Sequence, residues 1–510
     1  MSQNRNHNHN NQNENFYEKF MPKKSPKVAK KELKKQEENK RSYEKVTTEK
    51  LNTAKKDLKN KFEKKPSDKG LNKNTTERNK NKVWATDALL TSKASAFSSK
   101  AVPKDAQKVL SEFDKIIQEN RPLNSKQIQL LPDNIRELSH ELTDRRADRR
   151  LGYMNENTKL SAYVRYFTWW NLVRLTKLFS NLPEEAFPTE DCICLDLGSG
   201  PLTVISALWL ARPNLRKKTL TWYCLDVSQN SMIFGEDLYY SIAARTQSKA
   251  IENEETEKCW KIIRVKGSFG TQLKEKADFI SCANMLNELD QAGDMPPEFQ
   301  TKRYFDQLQI YSKKEARFIL VEPGVPKAAR TLALLRDRFI KSGKQILAPC
   351  AHALDCPMNG FKAYTGSSHK WCNFAFSTED APARLQKLSD SAKLPKERAT
   401  LSFLCAIQKN EMQKNEFTSS NTFNSENTLL VRIVSDPFRL PGNRTGVYAC
   451  SKLGLTIIAQ NASIKDKADE NDKKKPDTVL ESGDLLEVKI KTPVNSLKTD
   501  EKTGAKIIAL

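Results

Sequence analysis

No run of 18 apolar residues occurs in the 510-residue chain, so no ordinary membrane-crossing helix is expected and no membrane partner. The opening stretch MSQNRNHNHNNQNENFYEKF lacks the apolar core of a signal peptide and the acid-poor Arg/Ser pattern of a mitochondrial transit peptide. The expected compartment is a bacterial cytosol, with the mitochondrial matrix reserved for a eukaryotic source. In either place ten cysteines should stay reduced, as core thiols or metal ligands with no disulfide partner. The C-x2-C knuckle of common zinc modules is missing as well. Acidic residues are in deficit, 63 against 86 basic ones, for a formal charge of +23. More than half of that excess sits in residues 1–83, with 24 basic and 11 acidic side chains.

Length allows two to four domains and at least one sizeable core. Residues 1–83 are rich in Asn, Lys, Glu and Gln, too poor in apolar residues to offset backbone ordering, and are expected as a disordered basic arm suited to a polyanion. From 84 to 185, DAQKVLSEFDKIIQEN and SAYVRYFTWWNLVRLTKLF place apolar residues at helical spacing and predict a helical domain. Trp169, Trp170 and Tyr163 read as its core. TDRRADRR (143–150) is a cationic patch able to touch phosphate or to face solvent.

From 186 to 345 the rhythm is strand, glycine turn, helix: CICLDLGSGPLTVISALWLA, TLTWYCLDVSQNSMIFGEDLYYSIAAR, KCWKIIRVKGS, ADFISCANMLNEL and ARFILVEPG. Buried strands alternating with helices call for an α/β fold with a parallel sheet covered on both faces. Residues 346–426 carry a cysteine-rich segment. Residues 427–510 alternate apolar and polar residues between turns, which predicts a small C-terminal β module, with SIKDKADENDKKKPD (463–477) as a charged loop.

LDLGSGPLTV puts Asp196 at a strand end, followed by Gly198 and Gly200 before a helix. Glycines there let backbone approach a ligand beside the free N–H groups of a helix start. WYCLDVSQNSM ends the next strand with Asp226, placed to accept both ribose hydroxyls of a nucleoside. D-x-G-x-G followed by an acidic residue after the second strand resembles a class I S-adenosylmethionine methyltransferase with a Rossmann-like sheet. Leu202 departs from that pattern, which commonly has glycine there. A side chain at that position is expected to crowd the methionine part of the cofactor.

Cys350, Cys356 and Cys372 lie among Pro, His, Asp and Asn rather than in apolar elements, which favours a metal over three unrelated thiols. A fourth donor is needed, and His352, His369, Cys405 and Cys450 are available. Irregular spacing with proline beside cysteine suits an iron–sulfur cubane, whose corners are reached from separate loops.

GSGP after LDL, NMLNEL, LVEPG before a helix with LLRDRF, then APCAH, DCP, KWCNF, RIVSDP and VYACSKLG together resemble the ribosomal small-subunit methyltransferase-like family. That family includes mitochondrial methyltransferase-like protein 17 and its bacterial relatives, and the resemblance spans roughly residues 150–460. It implies a [4Fe–4S] cluster on Cys350, Cys356, Cys372 and Cys450, with zinc as runner-up. It also implies a role with the rRNA and proteins of the small ribosomal subunit during assembly. GFKAYTGSSHK, between the second and third cysteines, reads as a looped insertion.

For chemistry, FISCANMLNEL lacks the Asn/Asp-Pro-Pro-aromatic box of many amino-group methyltransferases. Cys282 has no electropositive partner in sequence to activate it. Asn284, Asn287 and Glu288, then Glu322 and Pro323, fall where cofactor and substrate would meet, although Asn287 and Glu288 suit helix capping equally well. No catalyst is named. Asp196, Gly198, Gly200, Asp226 and Asn284 are the expected cofactor contacts. Two functions follow: an rRNA methyltransferase, or an RNA-binding assembly factor that keeps the fold and the cofactor pocket.

Overall fold

The chain enters the described region on a strand rather than a helix. The computed structural model describes residues 86–144, 152–247, 257–289, 295–361, 370–408, 427–461 and 479–510, all within the second of two units, Trp84–Leu510. The basic arm, most of TDRRADRR, most of the looped insertion including His369, and the charged loop at 463–477 lie outside these residues. Ala88–Ser95 (β1) pairs antiparallel with Asp484–Ile490 (β14), Ala88 opposite Ile490 and Ser95 opposite Asp484. This corrects the all-helical expectation for 84–185: the strand belongs to a sheet whose other members lie at the far end of the chain.

Helices follow as expected. Lys104–Ser111 (α1), Phe113–Asn120 (α2), Ser125–Thr143 (α3), Asn157–Ala162 (α4) and Trp169–Asn181 (α5) bury an apolar face each, although Ile128 and Leu130 of α3 stay exposed. Asn124 caps α3 through a reciprocal box with Gln127, which satisfies two otherwise orphaned N–H groups. Trp169 and Trp170 are buried, and their indole N–H groups donate to Leu110 O (2.8 Å) and Ser389 Oγ (3.0 Å). Between α4 and α5 the chain takes a π-helical turn, Tyr163–Thr168, a local widening that recurs at functional sites.

The central sheet has eight strands. Cys192–Leu197 (β2), Leu220–Asp226 (β3), Lys261–Lys266 (β4), Ala277–Ala283 (β5) and Ser312–Glu322 (β6) are its parallel part, in the order β4-β3-β2-β5-β6. Thr203–Ala211 (α6) and Gln229–Thr246 (α7) follow β2 and β3, Leu286–Leu289 (α8) and Pro297–Tyr311 (α9) lie between β5 and β6, and Pro326–Lys341 (α10) follows β6. Because β2 pairs with β3 on one side and β5 on the other, the winding reverses there, and a crevice opens at the carboxyl ends of these strands. Lys344–Ala348 (β7), Phe374–Ser377 (β8) and Arg398–Gln408 (β9) extend the sheet, with β9 antiparallel between β6 and β7. Ala383–Ser391 (α11) lies between β8 and β9. The expected cysteine-rich insert therefore supplies sheet strands as well as thiols.

The C-terminal module is a sheet in the order β1-β14-β10-β12-β13-β15, built from Thr428–Ile433 (β10), Phe438–Leu440 (β11), Arg444–Ser451 (β12), Gly454–Asn461 (β13), β14 and Lys506–Ala509 (β15). Leu429, Val431, Val447, Ile458, Leu486 and Val488 form its core. Among the described residues, only β13 and β15 pair parallel within it.

Candidate cofactor cleft and thiol cluster

Three left-handed residues shape the loop after β2: Gly198 (φ 66), Gly200 (φ 49) and Leu202 (φ 53). At Gly198 a Cβ would stand 2.7 Å from the Met285 side chain, so only glycine allows the loop to pass the end of β5. Gly198 and Ser199 donate their N–H groups to Leu225 O, at 2.8 and 3.1 Å. Gly235 on α7 lies so close to the loop that a Cβ there would meet the Pro201 carbonyl carbon at 2.3 Å. Leu202 opens α6 with its side chain fully buried. It is not among the residues that line the cleft, whereas Pro201 and Thr203 are. The expected crowding of a cofactor is corrected: the side chain points into the core, and only the backbone conformation explains a preference for glycine.

Gly198, Gly200, Asp226 and Asn284 all line the crevice, together with Gly267, Ser268 and Phe269 after β4. Asp226 accepts the N–H of Gly200 through Oδ2 (2.9 Å) and that of Ser228 through Oδ1 (2.7 Å). Each carboxylate oxygen retains a lone pair for a hydroxyl. Burial raises the Asp226 pKa above the ordinary carboxylate value, against these backbone bonds. Asp196 lies beneath the cleft rather than on its wall. Its Oδ1 accepts the Ser281 hydroxyl (2.6 Å), tying β2 to β5, while its buried Oδ2 has no hydrogen-bond partner among the described residues. Burial pushes its pKa up to about 7.

At the far end, Asn284 (φ 60) accepts a bond from Arg174 at 3.3 Å. Arg174 also donates to Asn171 Oδ1 (2.6 Å) and Thr400 O (2.7 Å). Glu322 is fully buried and accepts the N–H groups of Leu286 (2.9 Å) and Asn287 (3.2 Å), so it caps α8 from the next strand. Burial pushes its pKa up to about 8. Glu288 lines the cleft. Cys282 is buried, and burial raises its thiol well above the ordinary value, in keeping with a strand residue.

Tyr153, Met154, Tyr163, Asn171 and Leu175 cover the crevice from the helical region and were not foreseen as site residues. The aromatic run reads as core, and most of it is. The π-helical turn begins at Tyr163, and the i→i+5 spacing shifts the face that each residue presents. Only the polar Asn171 inside an apolar helix hints at it in sequence.

The thiols converge from separate elements. Cys350 follows β7, Cys356 lies six residues on, and Cys450 is on β12. Cys372 donates its N–H to Met358 O (3.0 Å), and Asn359 bridges Trp371, which brings the second and third cysteines to the base of one loop. Arg336 on α10 donates to Cys350 Sγ (3.2 Å), His352 O (3.0 Å) and Leu354 O (2.6 Å). His352 Nε2 lies 3.1 Å from Cys450 Sγ. Burial first, and then the Cys350 charge, raise the Cys356 thiol to about 11 and Cys450 higher still; burial and the Cys356 charge do the same at Cys372. Cys405 is in the core of β9, opposite Ile319. Contrary to the expectation of a four-cysteine metal site, no three His, Cys, Asp or Glu side chains among the described residues are grouped so as to hold a metal ion.

The strand order, the reversal between β2 and β5 and the glycine loop over the crevice define a class I methyltransferase-like fold. A family model described as mitochondrial small ribosomal subunit Rsm22 matches residues 173–453, and the chain belongs to that family. The match takes in the crevice floor and all four thiols, but not Tyr153 or Tyr163. Curated proteins give no match. Among solved structures, a ribosomal protein L11 methylase from Lactobacillus delbrueckii subsp. bulgaricus is 16% identical, over 34% of this chain and 69% of that one, with a TM-score of 0.21. A SAM-dependent methyltransferase from Geobacter sulfurreducens in complex with S-adenosyl-L-homocysteine is 10% identical, over 47% and 91%, with a TM-score of 0.26. No helix among the described residues is long and apolar enough to cross a membrane.

Proposed function

We propose that this protein binds S-adenosylmethionine in the crevice and acts on, or assembles, the small ribosomal subunit by binding its rRNA. The observation that carries the cofactor is Asp226 at the end of β3, lining the crevice and bonded to the Gly198–Gly200 loop that lines it too. Asp226 would hold the ribose hydroxyls and the glycine loop would admit the amino-acid part, while the unpartnered Oδ2 of Asp196 would attract the cofactor's positive charge from below. When bound, the cofactor supplies an electrophilic methyl group. Membership of the Rsm22 family supports the ribosomal role, and with it a mitochondrial address in a eukaryotic source. The bacterial cytosol has no such support.

A non-catalytic assembly role has its own observation. Asn284 is held by Arg174, and both Glu322 oxygens are engaged by α8, so the polar groups nearest the acceptor end serve the scaffold. Cys350, Cys356, Cys372 and Cys450 would hold a [4Fe–4S] cluster, or zinc as runner-up, only by drawing closer than they stand here, since no three of them are grouped for a metal ion. What supports this is the two buried guanidinium groups beside them, Arg336 at 3.2 Å from Cys350 Sγ and Arg432 paired opposite Cys450. Bound there, such a centre supplies four metal–thiolate bonds that hold the loop to β12.

Calorimetric titration of anaerobically purified protein with S-adenosylmethionine tests the reading, with Asp226→Ala alongside and iron and zinc counted on the same sample. Binding that Asp226→Ala abolishes supports the cofactor site. Well-folded protein that gives no heat of binding removes the cofactor and leaves the assembly role. About four irons per chain support the cluster, whereas one zinc replaces it.

A further inference from the structure

Phenylalanine rarely stands in water, yet Phe299 is 66% exposed and Phe361 58% exposed. Phe361 packs on the Arg330 guanidinium, and Phe299 is the chain neighbour of Glu298, which pairs with that guanidinium. Arg330 on α10 stacks over the Phe361 ring, 5.3 Å from its centroid, and pairs at 2.6 Å with Glu298, the neighbour of Phe299 on α9. Arg338 donates to the Glu298 carbonyl at 2.9 Å, which fixes the start of α9 against α10. Phe361, Arg330 and Glu298 are therefore linked by contact, with the exposed Phe299 next to Glu298 on α9.

We propose that Phe299, Arg330 and Phe361 form a stacking platform for unpaired bases of single-stranded RNA. Aromatic faces and arginine planes accept any base by stacking, and they alternate here as bases and phosphates do along a strand. Charge favours RNA over a protein's apolar patch: α9 and α10 carry six basic side chains besides the buried Arg336, against three acidic ones. The two rings are separated by the Glu298–Arg330 pair, whereas a protein-binding patch is apolar and continuous at its centre. The assignment rests on the RNA reading above and adds the surface and the strandedness of the RNA.

The test is fluorescence anisotropy with the full chain, titrated into fluorescein-labelled decauridine and into a ten-base-pair RNA duplex at several KCl concentrations. The Phe299→Ala, Phe361→Ala double variant is expected to bind decauridine at least about tenfold more weakly at every salt concentration, with the salt slope unchanged, because stacking releases no counterions. Duplex binding should not change. Both rings are exposed, so thermal unfolding should match the wild type, and Val479→Ala, an exposed apolar residue elsewhere, serves as the control. Retention of decauridine affinity within about twofold overturns the platform, as does an equal loss on the duplex. If RNA affinity holds while the double variant no longer co-sediments with small subunits, the surface takes a protein and the RNA assignment fails. Wild-type protein that binds no RNA would instead remove the RNA reading itself.

Discussion

Replacing Leu202 by glycine sets the backbone of the crevice loop against its packing. If the side chain intrudes on the cofactor, glycine restores binding; if it fills the core, glycine opens a cavity. The residue is fully buried, with φ 53. Truncating a buried leucine to alanine costs about 2–5 kcal/mol, and the last methyl adds about 0.8 kcal/mol. Relief of the left-handed backbone returns about 1–2 kcal/mol, and the greater freedom of unfolded glycine costs about 0.5–1 kcal/mol. Packing wins: net destabilisation should be about 3 kcal/mol, a fall of roughly 1–2 M in the urea midpoint. Calorimetry on the same variant should show cofactor affinity no better than wild type. A Leu202→Gly protein as stable as its parent, or one that binds S-adenosylmethionine about tenfold more tightly, would refute this placement of the side chain.

Burial keeps the Glu322 carboxyl protonated up to about pH 8, above its ordinary value. Its contribution to stability is full below about pH 4.5 and is lost as the pH rises toward 8. Urea midpoints of the wild type should fall across that window, and those of Glu322→Gln should fall less; parallel curves would remove Glu322 as the cause. Gly235→Ala drives a methyl group into the Pro201 backbone and should cost about 1–3 kcal/mol, together with most of the cofactor heat. Unchanged calorimetry would show that the loop position does not matter to binding. Cys350→Ser should expose the C-terminal sheet to protease before the central sheet, because metal-binding energy is folding energy; identical digestion patterns would argue against a structural centre.

The central sheet is legible because its strands are buried on both faces and announce themselves as short apolar runs such as CICLDL and ADFISCA. The glycine loop is legible because left-handed backbone restricts residue choice, and Gly198 cannot be anything larger. Leu202 misleads for the same reason: its anomaly is real in φ, but sequence does not say on which side of the loop a side chain emerges. β1 is illegible because ALLTSKAS has mostly exposed positions and its partner β14 is nearly four hundred residues away. The crevice roof is hidden differently. Tyr163 and Asn171 belong to an aromatic segment that is otherwise core, and a π-helical turn changes its phase. Spacing alone leaves four candidates for the fourth thiol-site donor, since convergence is decided by β12 crossing β10, a tertiary event.

Arg432 shows why the thiol group and the C-terminal sheet act together. It lies on β10 directly opposite Cys450 on β12, is buried, and donates to Pro349 O and to Gly483 O, both at 2.7 Å. One guanidinium thus joins the loop that carries Cys350, the strand that carries Cys450 and the turn that leads into β14, which in turn holds β1. Burial lowers its pKa to about 10, while the charges of Cys350 and Cys372 oppose that fall. The relation is reciprocal: a buried cation favours thiolate over thiol just as thiolates favour the cation. Were the four thiols to hold a zinc ion or a [4Fe–4S] core as proposed, its formal charge of about −2 would be matched by Arg336 and Arg432. With or without such a centre, the same two side chains shape the thiol loop, so losing either one would disturb its geometry.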